Sequence, residues 1–233
     1  RDTIKNHTAT HLLHAALHNI IGKHVHQAGS LVEPERLRFD FNHFEKISEQ
    51  DLLKIEEMVN LEIQKNTLLE IAEENFTDAQ KKGAMALFGE KYGDVVRTIK
   101  IGDFSLELCG GTHVNRTGEI GAFVIMSEAG IASGVRRIEA ITGMKALSYL
   151  QKMRSEREQL SANLNSPESE ITEKVSQLLN DKKQLEKDLA KALSANMQSG
   201  LDDIISSAEI IGDVKVIIKE FNDVAIDQLK DLA

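Results

Sequence analysis

Two pairs of nitrogen and sulfur donors lie in distant parts of this 233-residue chain: His7 with His11, and Cys109 with His113. Residues four apart on a helix point the same way, so His7 and His11 can face one ion. Cys109 and His113 flank Gly110-Gly111-Thr112, and paired glycines let a backbone fold both donors to one side. Two separated donor pairs are how a chain closes a tetrahedral zinc site between remote segments. Each pair also has a plainer reading. A His pair on a polar helix face can simply be solvated, and a buried Cys can sit beside an incidental His. Three His and one Cys would fill a tetrahedral zinc, the pattern of a structural site, whereas a catalytic site keeps one position open. The spacing does not choose between them.

The rest of the chain frames those donors. The first helix is expected from about Thr3 to Ile21, stopped at Gly22, with Leu13, Ala16, Leu17 and Ile20 on one face. His7, His11, His14 and His18 form a stripe opposite, expected to be the polar face. Gln27 to Val32 and Leu37 to Phe41 read as strands about the turn at Glu33-Pro34. A helix begins at Ser48, with Asp51 in capping-box position. Leu68 to Ala72 reads as a strand, followed by a short helix near Thr77 that ends at Gly83. Strand Val95 to Ile101 turns at Gly102-Asp103, a Gly-first pair that suits a type II′ hairpin. On the return strand Phe104, Leu106 and Leu108 share one face and Ser105, Glu107 and Cys109 the other, which places the sulfur on the polar side. Strands Ile120–Met126 and Val135–Ile141 follow, joined by a loop from Gly130 to Gly134. The fold class expected is α+β, a mixed sheet and helices around a zinc site.

After Gly143 the pattern changes. Ala146, Leu150, Met153, Leu160 and Leu164, then Ile171, Val175, Leu178, Leu185, Leu189 and Ala192, keep helical spacing about a break at Asn165-Ser166-Pro167. Pro167 suits a first helical position, and the two runs are expected to pack as an antiparallel helical hairpin. Ile204, Ile205 and Val214 to Ile218 suggest a helix-to-strand unit, and Val224–Ala233 the start of a further helix. The expected domains are 1–143, a hairpin linker 144–200, and a truncated α/β segment 201–233. Arg1 opens inside a helix without an initiator Met, so a longer parent protein is expected.

Composition bounds the function. A single Cys forbids an intrachain disulfide and suits a reducing, cytoplasmic compartment. No apolar run approaches the ~18 residues of a spanning helix, so no membrane partner is expected. The net charge of −9 is opposite in sign to that of a nonspecific nucleic-acid binder. RNA contact must come from local cations: Arg136 and Arg137, or Lys81-Lys82 with Lys91. Adjacent strand residues face opposite sides, so at most one of Arg136 and Arg137 enters a cleft while the other can meet phosphate; ordinary salt bridging is the alternative. Thr10, Gln27, Asp40 and Thr112 could line the same cleft, or serve as caps and surface groups. Glu107 shares a strand face with Cys109, and is read as a solvated carboxylate in preference to a partner that orients a ligand.

Six segments, taken together, identify a family. His7-Thr8-Ala9-Thr10-His11, Gln27-Ala28-Gly29-Ser30, Leu37-Arg38-Phe39-Asp40-Phe41, the run from Gly83 to Tyr92, Cys109-Gly110-Gly111-Thr112-His113 and Gly134-Val135-Arg136-Arg137-Ile138-Glu139 resemble, in order, the editing domain of alanyl-tRNA synthetases. The remainder resembles the helical linker and the opening of the C-terminal domain. The resemblance implies hydrolysis of the ester of alanine tRNA mischarged with serine or glycine, within a ligase that proofreads protein synthesis. It implies His7, His11, Cys109 and His113 as Zn2+ ligands, and Thr10 and Gln27 as positions of amino-acid recognition and hydrolysis. Partners would be tRNA, the rest of the synthetase chain, and a second copy through the C-terminal region. The aminoacylation core has no counterpart here, so the chain is expected not to charge tRNA. Threonyl-tRNA synthetase editing domains and free-standing alanyl editing proteins share the two-pair motif. A tRNA-binding and dimerising module with a structural zinc is the reading from another class.

Overall fold

The structure, a computed structural model, describes residues 1–85, 92–206 and 208–217. Ala86 to Lys91 of the Gly83–Tyr92 motif, and the helix expected over Val224–Ala233, lie outside the described residues. The chain divides into two units, Arg1–Ser155 and Glu156–Ala233.

Unit 1 is built around α1 (Asp2–Ile20), followed by β1 (Gln27–Val32), β2 (Leu37–Asn42), α2 (Glu49–Gln64), β3 (Leu69–Asn75), α3 (Phe76–Lys81), β4 (Val95–Ile101) and β5 (Ser105–Leu108). A 3-10 turn (Thr117–Ile120) leads to β6 (Phe123–Ala132) and β7 (Val135–Thr142), and α4 (Gly143–Leu164) leaves the unit. One sheet has the order β1-β2-β7-β6 and the other β3-β4-β5. Every strand pair in both is antiparallel. The class is thus α+β, but the sheets are antiparallel where a mixed sheet was expected. Short turns join β1 to β2, β4 to β5 and β6 to β7, and a tight turn can only reverse a strand.

Local signals set several of these ends. Ser48 caps α2, its Oγ accepting from the Asp51 N–H at 3.1 Å. Gly102 takes φ 53 in the β4–β5 turn, and the Phe104 N–H closes it on the Ile101 carbonyl at 3.1 Å. Ile120, expected in a strand, sits in the 3-10 turn, and β6 runs on through Gly130 to Ala132 over a bulge. The turn tightens to Ser133-Gly134, with Gly134 at φ 69.

α1 corrects the first expectation. It is not a helix with one wet face, because Thr8, Ala9, Thr10, His11, Leu12, Leu13, His14, Ala15, Ala16 and Leu17 are all buried. Leu12, Leu13 and Leu17 pack with Phe39 and Phe41 of β2, Ile138 of β7, and Ile55 and Val59 of α2. Each such side chain contributes about 1.5–3 kcal/mol on burial. A helix enclosed all round must satisfy its polar residues inside. Asn6 does so by donating to the Glu33 carbonyl at 2.7 Å and accepting from the Thr142 hydroxyl at 2.6 Å. The histidine stripe meets β5, as described below.

In unit 2, Asn165 at φ 47 ends α4. Pro167 lies extended just ahead of a 3-10 turn (Glu168–Glu170), one step before the helical position expected of it, and α5 (Ile171–Ser206) follows. β8 (Glu209–Ile211) and β9 (Val214–Val216) form a hairpin. The apolar seam of α5 stays at the surface: Leu185 is 69 % and Leu189 62 % exposed.

Candidate metal centre

The face of β5 expected to be polar also turns inward. Ser105 and Glu107 are buried because that side of the strand meets α1, while on the other face Phe104 and Leu106 are half-buried and Leu108 is buried against Val96 and Ala79. The α1 stripe and the turn after β5 therefore converge. One donor atom from each of His7, His11, Cys109 and His113 lies within 4.8 Å of the other three, a group that could hold a metal ion. His7 Nε2 and His113 Nε2 each stand 3.4 Å from Cys109 Sγ. Donors held about 2.0–2.3 Å from a tetrahedral ion lie about 3.3–3.8 Å apart, so these separations fit.

Two imidazoles are oriented by what their far nitrogens touch. His7 Nδ1–H donates to the Thr112 carbonyl at 3.1 Å, which leaves Nε2 for the centre. Thr8 does the same for His113. Its hydroxyl accepts from the Val114 N–H at 3.1 Å, donates to the Ile4 carbonyl at 3.2 Å, and so receives the His113 Nδ1–H at 3.2 Å. The Cys loop is clamped from the other side. One Nη of Arg97 donates to the carbonyls of Cys109 and Gly111, both at 2.7 Å.

The centre favours neutral imidazoles. Burial, with His11, His7 and Arg97 nearby, pushes His113 down to about 2. Burial also lowers His7, helped by His11, and it lowers His11 against the pull of Glu107. Neutral imidazole is the form that binds a metal. For Glu107 burial acts upward, yet His11 and His14 outweigh it and hold the carboxyl below the usual range.

The other expected site residues are placed as follows. Thr10 is 3 % exposed and donates to the Asn6 carbonyl at 2.9 Å. Gln27 opens β1 opposite Phe41, half-buried, at a bulge. Thr112 contributes its carbonyl. Asp40 grips Arg137 through two bonds at 2.7 and 2.8 Å, directly across the β2–β7 pair. Arg136 makes two bonds to Glu128 of β6, one of them at 2.9 Å. Both arginines thus take the salt-bridging alternative.

Glu107 is the chief correction. It is 5 % exposed, not solvated, and stands between His11 and His14. The sequence signal was its position two residues before Cys109. Gly111, already read as one of the glycines that fold the Cys109 turn, supports the centre, as do Thr8 and Arg97, which went unread; Thr8, inside the His7–His11 stretch, was the more open to reading.

Residues 96–139 match the family model described as the threonyl and alanyl tRNA synthetase second additional domain. The match covers Cys109, His113 and both arginines, but not α1. Curated relatives extend the likeness over the whole chain. Alanine–tRNA ligase of Hydrogenovibrio crunogenus is 51 % identical over 231 residues, 99 % of this chain and 27 % of that protein. The enzymes of Alkaliphilus oremlandii and Listeria monocytogenes are 46 % and 48 % identical over 230 residues, 99 % of this chain and 26 % of each relative. The chain spans about a quarter of the length of the curated relatives it matches. Its donor cluster lies within that shared stretch, so the part of the chain that carries the site is the part that is similar to the alanine–tRNA ligases.

Proposed function

We propose that residues 1–143 form a proofreading hydrolase that cleaves serine or glycine from alanine tRNA, with zinc at the four-donor cluster. The observation that carries this reading is the convergence of His7, His11, Cys109 and His113 inside a chain related to alanine–tRNA ligases. A three-nitrogen, one-sulfur donor set suits zinc, with softer thiolate and borderline imidazole together. Bound there, zinc would supply either Lewis acidity or, with all four places taken by protein, the fixed shape of the pocket.

Discrimination is the chemical problem. Serine differs from alanine by one hydroxyl, and an apolar pocket separates such a pair by only ~100-fold. A site that hydrogen-bonds the hydroxyl does better, because alanine leaves its polar group unpaired. Thr10 is the sensor in this reading. Its proton is committed to the Asn6 carbonyl, so its oxygen would accept the serine hydroxyl. Gln27 would position the attacking water. Arg136 and Arg137 would meet tRNA phosphates by exchanging carboxylate for phosphate, and the missing parts of the synthetase would supply the rest of the grip.

Purified chain incubated with seryl- and alanyl-tRNA, with and without chelator, tests the reading. Selective, chelator-sensitive loss of the seryl ester is expected. A second reading, a tRNA-binding and dimerising module with a structural zinc, is favoured by the all-protein donor set and the exposed seam of α5. Equal persistence of both esters would leave that one standing.

A further inference from the structure

The geometry points to Glu107 as a positioning residue whose two carboxylate oxygens are divided between His11, as metal ligand, and His14. This rests on the metal reading above. Glu107 sits on the inward side of β5, 5 % exposed, opposite Ile99 in the β4–β5 register. Oε1 accepts from His14 Nδ1 at 3.2 Å. Oε2 stands 3.6 Å from His11 Nδ1. That nitrogen is itself buried and, among the described residues, has no hydrogen-bond partner.

The other two imidazoles of the cluster each have a far nitrogen tied to an oxygen, His7 to Thr112 and His113 to Thr8. His11 alone lacks such a tie. Ligation through its Nε2 requires the ring proton on Nδ1, and the oxygen that faces Nδ1 is Oε2 of Glu107. A small rotation closes 3.6 Å to hydrogen-bond length. The carboxylate then orients His11 and raises its basicity, as outer partners of metal-bound histidines do.

His14 completes the arrangement. It is 5 % exposed and lies one helical turn beyond His11. By occupying Oε1 it holds the carboxylate plane with Oε2 directed at His11. The α1 stripe therefore divides into a ligand pair and a support: His7 and His11 face the centre, and His14 fixes the group that aims His11.

Two measurements on the whole chain test this, with Zn2+ alone as probe. In chelator competition, Glu107→Gln keeps the shape but offers one acceptor oxygen for two imidazoles. It is expected to bind one Zn2+ per chain about 10–100-fold more weakly than the parent. An affinity within twofold of the parent, with Cys109→Ser abolishing binding, overturns the role of Glu107 and leaves the metal reading intact. A parent that binds no Zn2+ overturns both. Should Glu107→Gln fail to fold, nitrogen-15 NMR of the zinc-loaded parent decides. His11 is expected as the Nδ1–H tautomer with its proton in a hydrogen bond. An Nε2–H tautomer, with zinc on Nδ1, overturns the proposal.

Discussion

A Cβ placed on Gly111 would lie 2.2 Å from Cε1 of His7. No real side chain tolerates that approach, so the turn after Cys109 passes His7 with no room for a methyl group. Gly110 next to it has open space. Gly111→Ala should therefore push His7 out of the cluster, cost about 1–3 kcal/mol by overpacking, and abolish one-to-one zinc binding. Gly110→Ala should bind normally. Zinc titration of the two variants checks the contrast.

Cys109→Ala removes the only sulfur of the donor set. Zinc content by elemental analysis and deacylation of seryl-tRNA should fall together. For the parent, chelator should lower the melting temperature, because an ion present at about 100 times its Kd stabilises the folded chain by about 2.7 kcal/mol. A normal zinc content in the variant would remove Cys109 from the ligands.

Thr10→Val keeps the shape and deletes the hydroxyl that would read serine. Cleavage of seryl-tRNA should slow by about tenfold or more, the loss of one buried hydrogen bond to substrate. Thr10→Ser should retain most of the rate, which separates sensing from packing. Equal rates on seryl-tRNA for the Val variant and the parent would refute the assignment.

Acid should destabilise the metal-free chain. His7, His11 and His113 all hold protons less readily when folded than the free imidazole, whose value is 6.5. Below that pH the unfolded chain binds protons that the folded one refuses, so stability is lost as pH falls. The loss begins near 6.5 and, for His113, continues toward about 2. Each group contributes at most about 1.4 kcal/mol per pH unit. Denaturant unfolding of apo protein at pH 7, 6 and 5 should show a falling midpoint. A flat profile would mean that the imidazoles protonate freely in the folded state.

Much of this was readable from local pattern. The α2 cap at Ser48, the stop of α1 before Gly22 and the Gly102 turn each depend on residues a few positions apart, and each was placed correctly. The four donors also came together as their spacing suggested. What pattern could not reveal was which side of α1 and of β5 faces inward. A polar helix face and a polar strand face each read as solvated when taken singly. They are buried because they meet each other, and Glu107 and His14 stand 93 positions apart. The same limit applies to the α5 seam, where heptad-like spacing states that leucines align but not what covers them.

Cys109 and His7 are 102 positions apart. An ion shared between them would act as a clasp on a very long loop, and closing long loops withdraws the most freedom from the unfolded chain. During synthesis the helix carrying the first two donors is made well before the turn carrying the others. Ion capture would then mark the moment this unit is complete, and a chain interrupted before Cys109 would carry only His7 and His11 of the four donors.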